Sequence, residues 1–258
     1  MLEVFLISIV AFSASILTFF SGFGLGTLLT PVFVFFFPIE VAVGLTGIVH
    51  FSNNIFKLLL VGKQFNKKVV IRFGIPAIFA ALMGSSLLLI ISDFKPLFEY
   101  EMFGKSFYIY PIKFIIALIL IIFSSMDLIP YFKKLEFNQS KLPIGGILSG
   151  FFGGLSGNQG ALRSAFLVKA GLSKESFIAT TVVISTFIDI TRLSIYSTNY
   201  TKLNLEENWS IVLIAIISAI TGAFLGNKLL KKVTFKFIQS IVAVMLLLIS
   251  VALGMGFI

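Results

Sequence analysis

The amino-acid sequence predicts an all-α polytopic membrane protein, an inverted repeat of two five-segment halves with about 8–10 transmembrane or re-entrant helices. The first observation behind this prediction is the composition. Of the 258 residues, 58% are hydrophobic and 12% are charged, about half the charged fraction of a typical soluble domain. So few polar groups cannot cover a water-facing surface. The net charge of +9 is typical of basic cytoplasmic loops and not of a nucleic-acid-binding or disordered chain.

The second observation is a series of apolar segments, joined by connections too short to form a soluble domain, so 1–258 is predicted to be a single membrane domain. A helix needs about 20 apolar residues to cross the hydrocarbon core. The first segment lacks the basic start and the cleavage site of a signal peptide, and we interpret it as a span. The segments of spanning length are 4–20, 41–61, 70–92, 111–130, 174–197, 208–227 and 236–257. The shorter, Gly-rich segments, which could be full spans, broken helices or halves of re-entrant hairpins, are 22–37, 142–155 and 157–171.

The third observation is a weak resemblance between the two halves of the chain. Small and polar residues recur at an offset of 135 residues, and Ala81–Gly84 meets Ala219–Gly222 at an offset of 138. Each half holds five segments, and an odd number of crossings forces the two copies into opposite orientations. The sequence therefore predicts an inverted repeat of residues 4–130 and 142–257. The pairs at an offset of 135 are Ser21-Gly22 with Ser156-Gly157, Thr46 with Thr181, Asn54 with Asp189, and Lys57 with Arg192.

The charges of the loops predict the orientation independently. Segments 62–72 and 228–236 carry basic residues and no acidic ones, and the connector 131–141 carries more basic than acidic residues. Segments 93–110 and 198–207 carry more acidic than basic residues. By the positive-inside rule, the first three are cytoplasmic and the last two lie outside. We expect a multi-pass protein of the cell (inner) membrane with both termini outside.

Two Gly-broken segments at matching positions predict a substrate site. In Gly22–Pro31, alternating glycines favour a break whose helix N-terminus would attract an anion, and close helix packing is the alternative. The second copy adds polar side chains, which are costly in a bilayer and usually face a cavity or a partner. For Arg163 the alternative is a residue that extends to the interface. The candidate substrate-binding residues of the two segments are Gly24, Gly26, Thr27, Gly157, Asn158, Gln159 and Arg163.

The spans that follow these breaks each carry a polar stripe. Asn54 and Lys57 of the first stripe and Arg192 of the second are further candidates for binding an anion. Asp189 and His50 are candidates for proton coupling. A buried salt bridge between Asp189 and Arg192, and a packing role for His50, are the alternatives. The stripes comprise Thr46, His50, Asn53, Asn54 and Lys57, and Thr180, Thr181, Ser185, Asp189 and Arg192.

These motifs resemble those of the TauE/SafE family of sulfite and organosulfonate exporters over essentially the whole chain. The resemblance rests on Gly22–Pro31, the segment to Phe37-Pro38, Ala42–Thr46, Ala81–Gly84 and their recurrence in the second half. It implies a secondary transporter that moves sulfur-containing anions or small organic acids, often outward. The second half departs from the family pattern, because it holds Asn158-Gln159, and Phe166 stands where a proline would align with Pro31.

The residues and the resemblance together predict an exporter of small sulfur-containing anions, such as sulfite or organosulfonates, that works by alternating access. An importer of a sulfur compound or a small organic acid, and an anion channel, are the alternatives. The chain has no Cys and one His, so we expect no metal or other cofactor and no enzyme activity. The expected partners are a small anion, the lipid bilayer and protons or another coupling ion, with no nucleic acid. The sequence predicts no oligomeric state.

Overall fold

The computed structural model describes residues 2–21, 24–129, 137–168, 170–199, 205–229 and 235–257. Its helices follow the predicted segments closely, and each of the three shorter segments forms a helix of 8 to 15 residues. Gly22 lies outside the described residues, as do parts of three loops whose charges predict the orientation, at 130–136, 200–204 and 230–234. The helices are α1 (Leu2–Ser21), α2 (Gly26–Val34), α3 (Ile39–Val61), α4 (Lys67–Val69), α5 (Ile75–Ser92), α6 (Pro111–Leu128), α7 (Leu142–Ser156), α8 (Gly160–Leu167), α9 (Lys174–Tyr196), α10 (Leu205–Leu229) and α11 (Phe235–Gly254).

Five helical segments within the described residues are long and apolar enough to cross a membrane. One of them joins α4 and α5 through a π-helical turn at Val70–Gly74 that the sequence pattern does not predict. The helix α6 carries a shorter apolar stretch, Pro111–Ser125. The five spanning segments are Leu2–Phe19, Ile39–Gln64, Lys67–Ser92, Lys174–Tyr196 and Glu207–Lys228.

Local sequence signals explain where several helices begin and end. The hydroxyl of Ser173 accepts a hydrogen bond from the amide of Ser176 and caps α9. Proline stands in the first turn of α6 and α7, where its missing amide proton costs no helical hydrogen bond. The helix α7 ends where Gly157 adopts a left-handed conformation with φ of 76°, which glycine adopts without steric strain.

The helices of the first half pack against helices of the second half. The pairs are α1 with α10, α3 with α9, α5 with α7, and α6 with α11. Two of these contacts depend on glycines from the predicted repeat. A Cβ at Gly84 of α5 would overlap the carbonyl oxygen of Phe151 of α7, and one at Gly222 of α10 would overlap that of Phe12 of α1. In both helix pairs, a glycine of one helix therefore contacts the backbone of the other.

The α5–α7 contact extends this close approach over three turns. Glycines four residues apart on α7 face backbone carbonyl groups four residues apart on the partner helix. Small residues permit such backbone contact between membrane helices. For the segment 142–155, close packing therefore accounts for the glycines. The facing pairs are Gly146 with Phe73, Gly150 with Ala77, and Gly154 with Ala81.

The connection 93–110, predicted as a polar loop, folds into a β-hairpin. Strand β1 (Phe98–Met102) pairs antiparallel with β2 (Lys105–Ile109). The two turn residues, Phe103 and Gly104, have φ angles of 53° and 70°, as the tight turns that fit the twist of a hairpin require. The hydroxyl of Tyr100 donates to the carbonyl of Met255 at 2.6 Å, so the hairpin is attached to the end of the last helix.

The short helix α2 lies inside the bundle. Its side chains Leu29 and Phe33, with the preceding Leu25, are fully buried in the main apolar cluster. A helix of this length is about 14 Å long, too short to cross the hydrocarbon core. The breaks before α2 and α8 therefore leave two helix N-termini within the protein, next to the buried polar residues.

Candidate functional site

A buried carboxylate, Asp189 of α9, is the centre of the polar core. Its Oδ2 lies 2.7 Å from His50 Nδ1 and accepts from Asn54 Nδ2 at 2.8 Å. Its Oδ1 accepts from Arg192 Nε at 3.0 Å, with Arg192 Nη2 at 2.9 Å. Because a carboxylate oxygen only accepts, His50 donates through Nδ1. The predicted salt bridge between Asp189 and Arg192 is therefore present, and α3 supplies two further contacts to it.

Lys57 of α3, three residues after Asn54, is also buried, with 3% of its surface exposed. With the Asn53 amide assigned the orientation that satisfies both its oxygen and its nitrogen, Asn53 accepts from Lys57 Nζ at 3.3 Å and donates to the carbonyl of Ala219 at 3.2 Å. The ammonium group also lies 5.4 Å from the centre of the Phe19 ring. Within the part of the chain that the structure describes, Lys57 makes no ion pair. The contacts of this buried cation that the structure describes are therefore with neutral groups.

A small cavity of about 10 Å³ lies between these residues and α8. It is about the smallest space that holds one water molecule. Four of the predicted site residues line it, from both halves of the chain: Gly24, Asn54, Lys57 and Arg163. The remaining lining residues are Thr18, Phe19, Ile178, Thr181, Val182 and Ser185. Among them, sequence reasoning placed Thr181 and Ser185 on the second stripe but missed Thr18.

Arg163 does not extend to the protein surface. It lies in α8, three residues after the helix begins, with 1% of its surface exposed. The alternative of an arginine reaching the interface is therefore wrong for this residue. The cause is the break at 157–159, which starts α8 inside the bundle and so places its first turn next to α3.

Two glycines at the breaks make room for the polar side chains. Gly24 has φ of 87°, and a Cβ there would lie 3.2 Å from His50 Nε2 and 3.9 Å from Arg163 Nη2. Gly157 has φ of 76°, and a Cβ there would lie 2.9 Å from Arg192 Nη1. Only glycine combines this backbone conformation with such a close approach. The breaks thus bring backbone next to both buried arginines.

The other predicted residues of the two breaks are buried but lie away from the cavity lining. Asn158 forms hydrogen bonds with Ser156 in its own turn. The Gln159 side chain packs against Gly153, and its amide atoms have no hydrogen-bond partner among the described residues. A Cβ at Gly26 would lie 3.0 Å from the carbonyl oxygen of Gly157, which brings the two breaks together. Thr27 is buried, with 6% exposed.

Two buried polar side chains near the site were missed by sequence reasoning. Ser15 of α1 contacts Asn53 at 3.1 Å, and the Tyr196 hydroxyl donates to the carbonyl of Gly154. Neither residue stands out in the sequence, because Ser15 lies in an apolar span and Tyr196 at the end of one. Their contacts join α1 to α3 and α9 to α7.

The charges of the polar core are unbalanced. Three cationic side chains, Lys57, Arg163 and Arg192, are almost fully buried, and among the described residues Asp189 is the buried carboxylate that accompanies them. A second, larger cavity of about 440 Å³ at the ends of α2, α5 and α6 contains both Lys113 and Glu40. Its lining contains one cation and one carboxylate, whereas the described lining of the central cavity contains two cations and no carboxylate. The described residues hold no cluster of three or more His, Asp or Glu with metal-binding geometry.

The fold and the site together define a multi-pass membrane transporter. Apolar spanning helices surround buried charges at two helix breaks, an arrangement typical of secondary transporters. Residues 7–253, nearly the whole chain, match the family described as sulfite exporter TauE/SafE. The chain belongs to this family, which confirms the resemblance seen in the sequence. No curated protein and no solved structure matches the chain.

Proposed function

We propose that this protein exports small sulfur-containing anions, such as sulfite or organosulfonates, across the inner cell membrane by alternating access. The observation that carries the proposal is the central cavity, where Lys57 and Arg163 converge without a lining carboxylate among the described residues. Burying positive charge is costly, so two cations that line one cavity favour an anionic ligand. Four of the candidate residues, Gly24, Asn54, Lys57 and Arg163, line this cavity and would contact the anion.

The size of the cavity supports a carrier over an open channel. About 10 Å³ is too small for a polyatomic anion, so helices must separate before one can bind. In a channel, a continuous polar path would connect the two sides. The structure thus fits a closed state of a transporter whose site opens in turn to each side.

We propose that residues 4–130 and 142–257 are the two inverted repeats that rock against each other. The helix pairing supports this, because the first segment of each half packs against the fourth segment of the other. The third segments pair with each other, as do the fifth. Elements related by a two-fold axis pair in this reciprocal way. The equivalent glycines Gly84 and Gly222 contact equivalent helices.

The test is counterflow of radiolabelled sulfite in proteoliposomes that contain the purified protein. We expect saturable uptake that rises when unlabelled sulfite is present inside, as for a carrier. The variant Arg163→Ala should lose transport at least about tenfold, because the cavity loses a charged donor. Lys113→Gln, which removes a cation from the other cavity, is the control and should transport normally.

Three results would contradict the proposal or part of it. Flux that does not saturate and carries a large current would indicate a channel. Normal sulfite counterflow by folded Arg163→Ala protein would remove Arg163 from the site. Absence of transport or binding for every sulfur anion would refute the function itself.

A further inference from the structure

The polar core contains two equivalent residue pairs that differ in charge. Asn54 and Asp189 occupy corresponding positions of the proposed repeats and contact each other, with Asn54 Nδ2 donating to Asp189 Oδ2 at 2.8 Å. Each is followed three residues later by a cation, Lys57 or Arg192. Residues at this spacing share a helix face. The second pair contains a carboxylate and the first contains a neutral amide.

This difference leaves the two cations in different electrostatic states. Arg192 Nε donates to Asp189 Oδ1 at 3.0 Å, so its charge is compensated within α9. Lys57 has Asn54 at the equivalent position, and among the described residues its hydrogen-bond partner is the neutral side chain of Asn53. The cavity lies beside Lys57, and Arg192 is absent from its lining as the structure describes it.

We infer that the anionic group of the substrate takes the place of the carboxylate that the first pair lacks, so the transported species is an oxyanion with no cationic group of its own. The inference rests on the proposed function and narrows its substrate class. The oxyanion forms an ion pair with Lys57 and Arg163, as Asp189 does with Arg192. Arg192 then fixes Asp189 in position and does not bind the substrate.

The other lining groups agree with this class of substrate. The hydroxyls of Thr18, Thr181 and Ser185 can each donate a hydrogen bond to an oxyanion. Among the described lining residues there is no carboxylate to receive an ammonium group. A zwitterionic aminosulfonate would therefore bring a cation beside two others in a buried site, which is unfavourable.

The first experiment compares matched ligands by thermal unfolding of the detergent-purified protein, since a ligand that binds the folded state raises its stability. The probes are sulfite, 2-hydroxyethanesulfonate and taurine. The last two share a sulfonate and differ in a hydroxyl against an ammonium group. We expect sulfite to bind, and 2-hydroxyethanesulfonate to bind at least about tenfold tighter than taurine. Equal or tighter binding of taurine would overturn the inference.

The second experiment moves the carboxylate from one pair to the other. The double variant Asn54→Asp/Asp189→Asn keeps the net charge and gives Lys57 a carboxylate at i−3. We expect its Kd for sulfite to rise at least about tenfold, because the substrate's place is then filled. Lys57→Gln should raise the Kd similarly, and Lys113→Gln should leave it unchanged.

The outcomes separate this inference from the proposed function. Sulfite binding that is unchanged in both Lys57→Gln and the double variant would overturn the inference and leave an anion transporter. Failure of wild-type protein to bind any of the anions would overturn both. The elution and melting profiles show whether the double variant folds. If it does not, the Kd for sulfite of Lys57→Gln, compared with that of Lys113→Gln, tests the inference.

Discussion

At the scale of single residues, the core depends on one carboxylate that accepts hydrogen bonds from three side chains. Asp189 accepts from His50, Asn54 and Arg192, with contacts of 2.7 to 3.0 Å. Two of these donors come from α3 and one from α9, so the network fixes the crossing of the two helices. Removal of the carboxylate would leave Arg192 buried without a counter-charge.

We predict that Asp189→Asn lowers the free energy of unfolding by about 3–5 kcal/mol, the usual cost of breaking a buried ion pair. The measurement is thermal or denaturant unfolding in detergent. Glu207→Gln, which removes an exposed carboxylate from α10, is the control and should unfold like the wild type. A stability equal to that of the wild type would show that the ion pair is dispensable.

The same variant tests proton coupling. The Nδ1 of His50 faces Asp189, and its Nε2 faces Gly24 at the cavity, so the pair could carry a proton between the network and the substrate. We expect wild-type export to accelerate when the outside is acidified, because inward proton movement would drive the anion out. Asp189→Asn protein that still folds should lose this acceleration. Unchanged transport with unchanged pH dependence would exclude Asp189 as the proton carrier.

At the scale of the elements, glycines have two separate functions. Glycines on the faces of α5, α7 and α10 allow the backbones of neighbouring helices to touch. Gly24 and Gly157 instead adopt positive φ angles where the helices are interrupted. The sequence predicts glycine-rich segments without distinguishing the two functions. The distinction depends on what lies opposite each glycine, which is a property of helix packing.

We predict that Gly150→Ala lowers the stability of the protein by about 1–3 kcal/mol, the usual range for overpacking. Its new methyl group would overlap the carbonyl oxygen of Ala77, and backbone cannot move aside as a side chain can. The melting temperature measures the effect. Gly62→Ala is the matched control, because a Cβ there would lie 3.4 Å from Leu58, an ordinary contact. Equal melting temperatures for the two variants would contradict the close α5–α7 packing.

At the scale of the whole molecule, single introduced cysteines can test the predicted orientation, because the sequence contains no Cys. Lys68 lies in the loop 62–72, which its basic charges predict to be cytoplasmic. Lys105 lies on the hairpin that is predicted to be outside. Both side chains are exposed. We predict that an impermeant maleimide labels Lys105→Cys in intact cells, and Lys68→Cys after the membrane is opened. The reverse pattern would invert the topology.

Much of the fold follows from the sequence, because helices in a bilayer must be apolar over about 20 residues and satisfy their backbone hydrogen bonds internally. That constraint sets the helix limits to within a few residues. The hairpin at 98–109 was missed because it lies outside the apolar segments. There, cross-strand pairing and attachment to Met255 determine the structure.

The sequence by itself determined the class of protein, the family and most of the polar residues that form the core. The tertiary structure decided which of them share a cavity: Lys57 and Arg163 meet there, while Arg192 is paired with Asp189. The reason is physical. Because burying charge in a membrane is costly, each polar residue in an apolar span stands out in the sequence. Whether its charge is compensated depends on distances between atoms that are far apart in the chain. Those distances arise only when helices from the two halves pack.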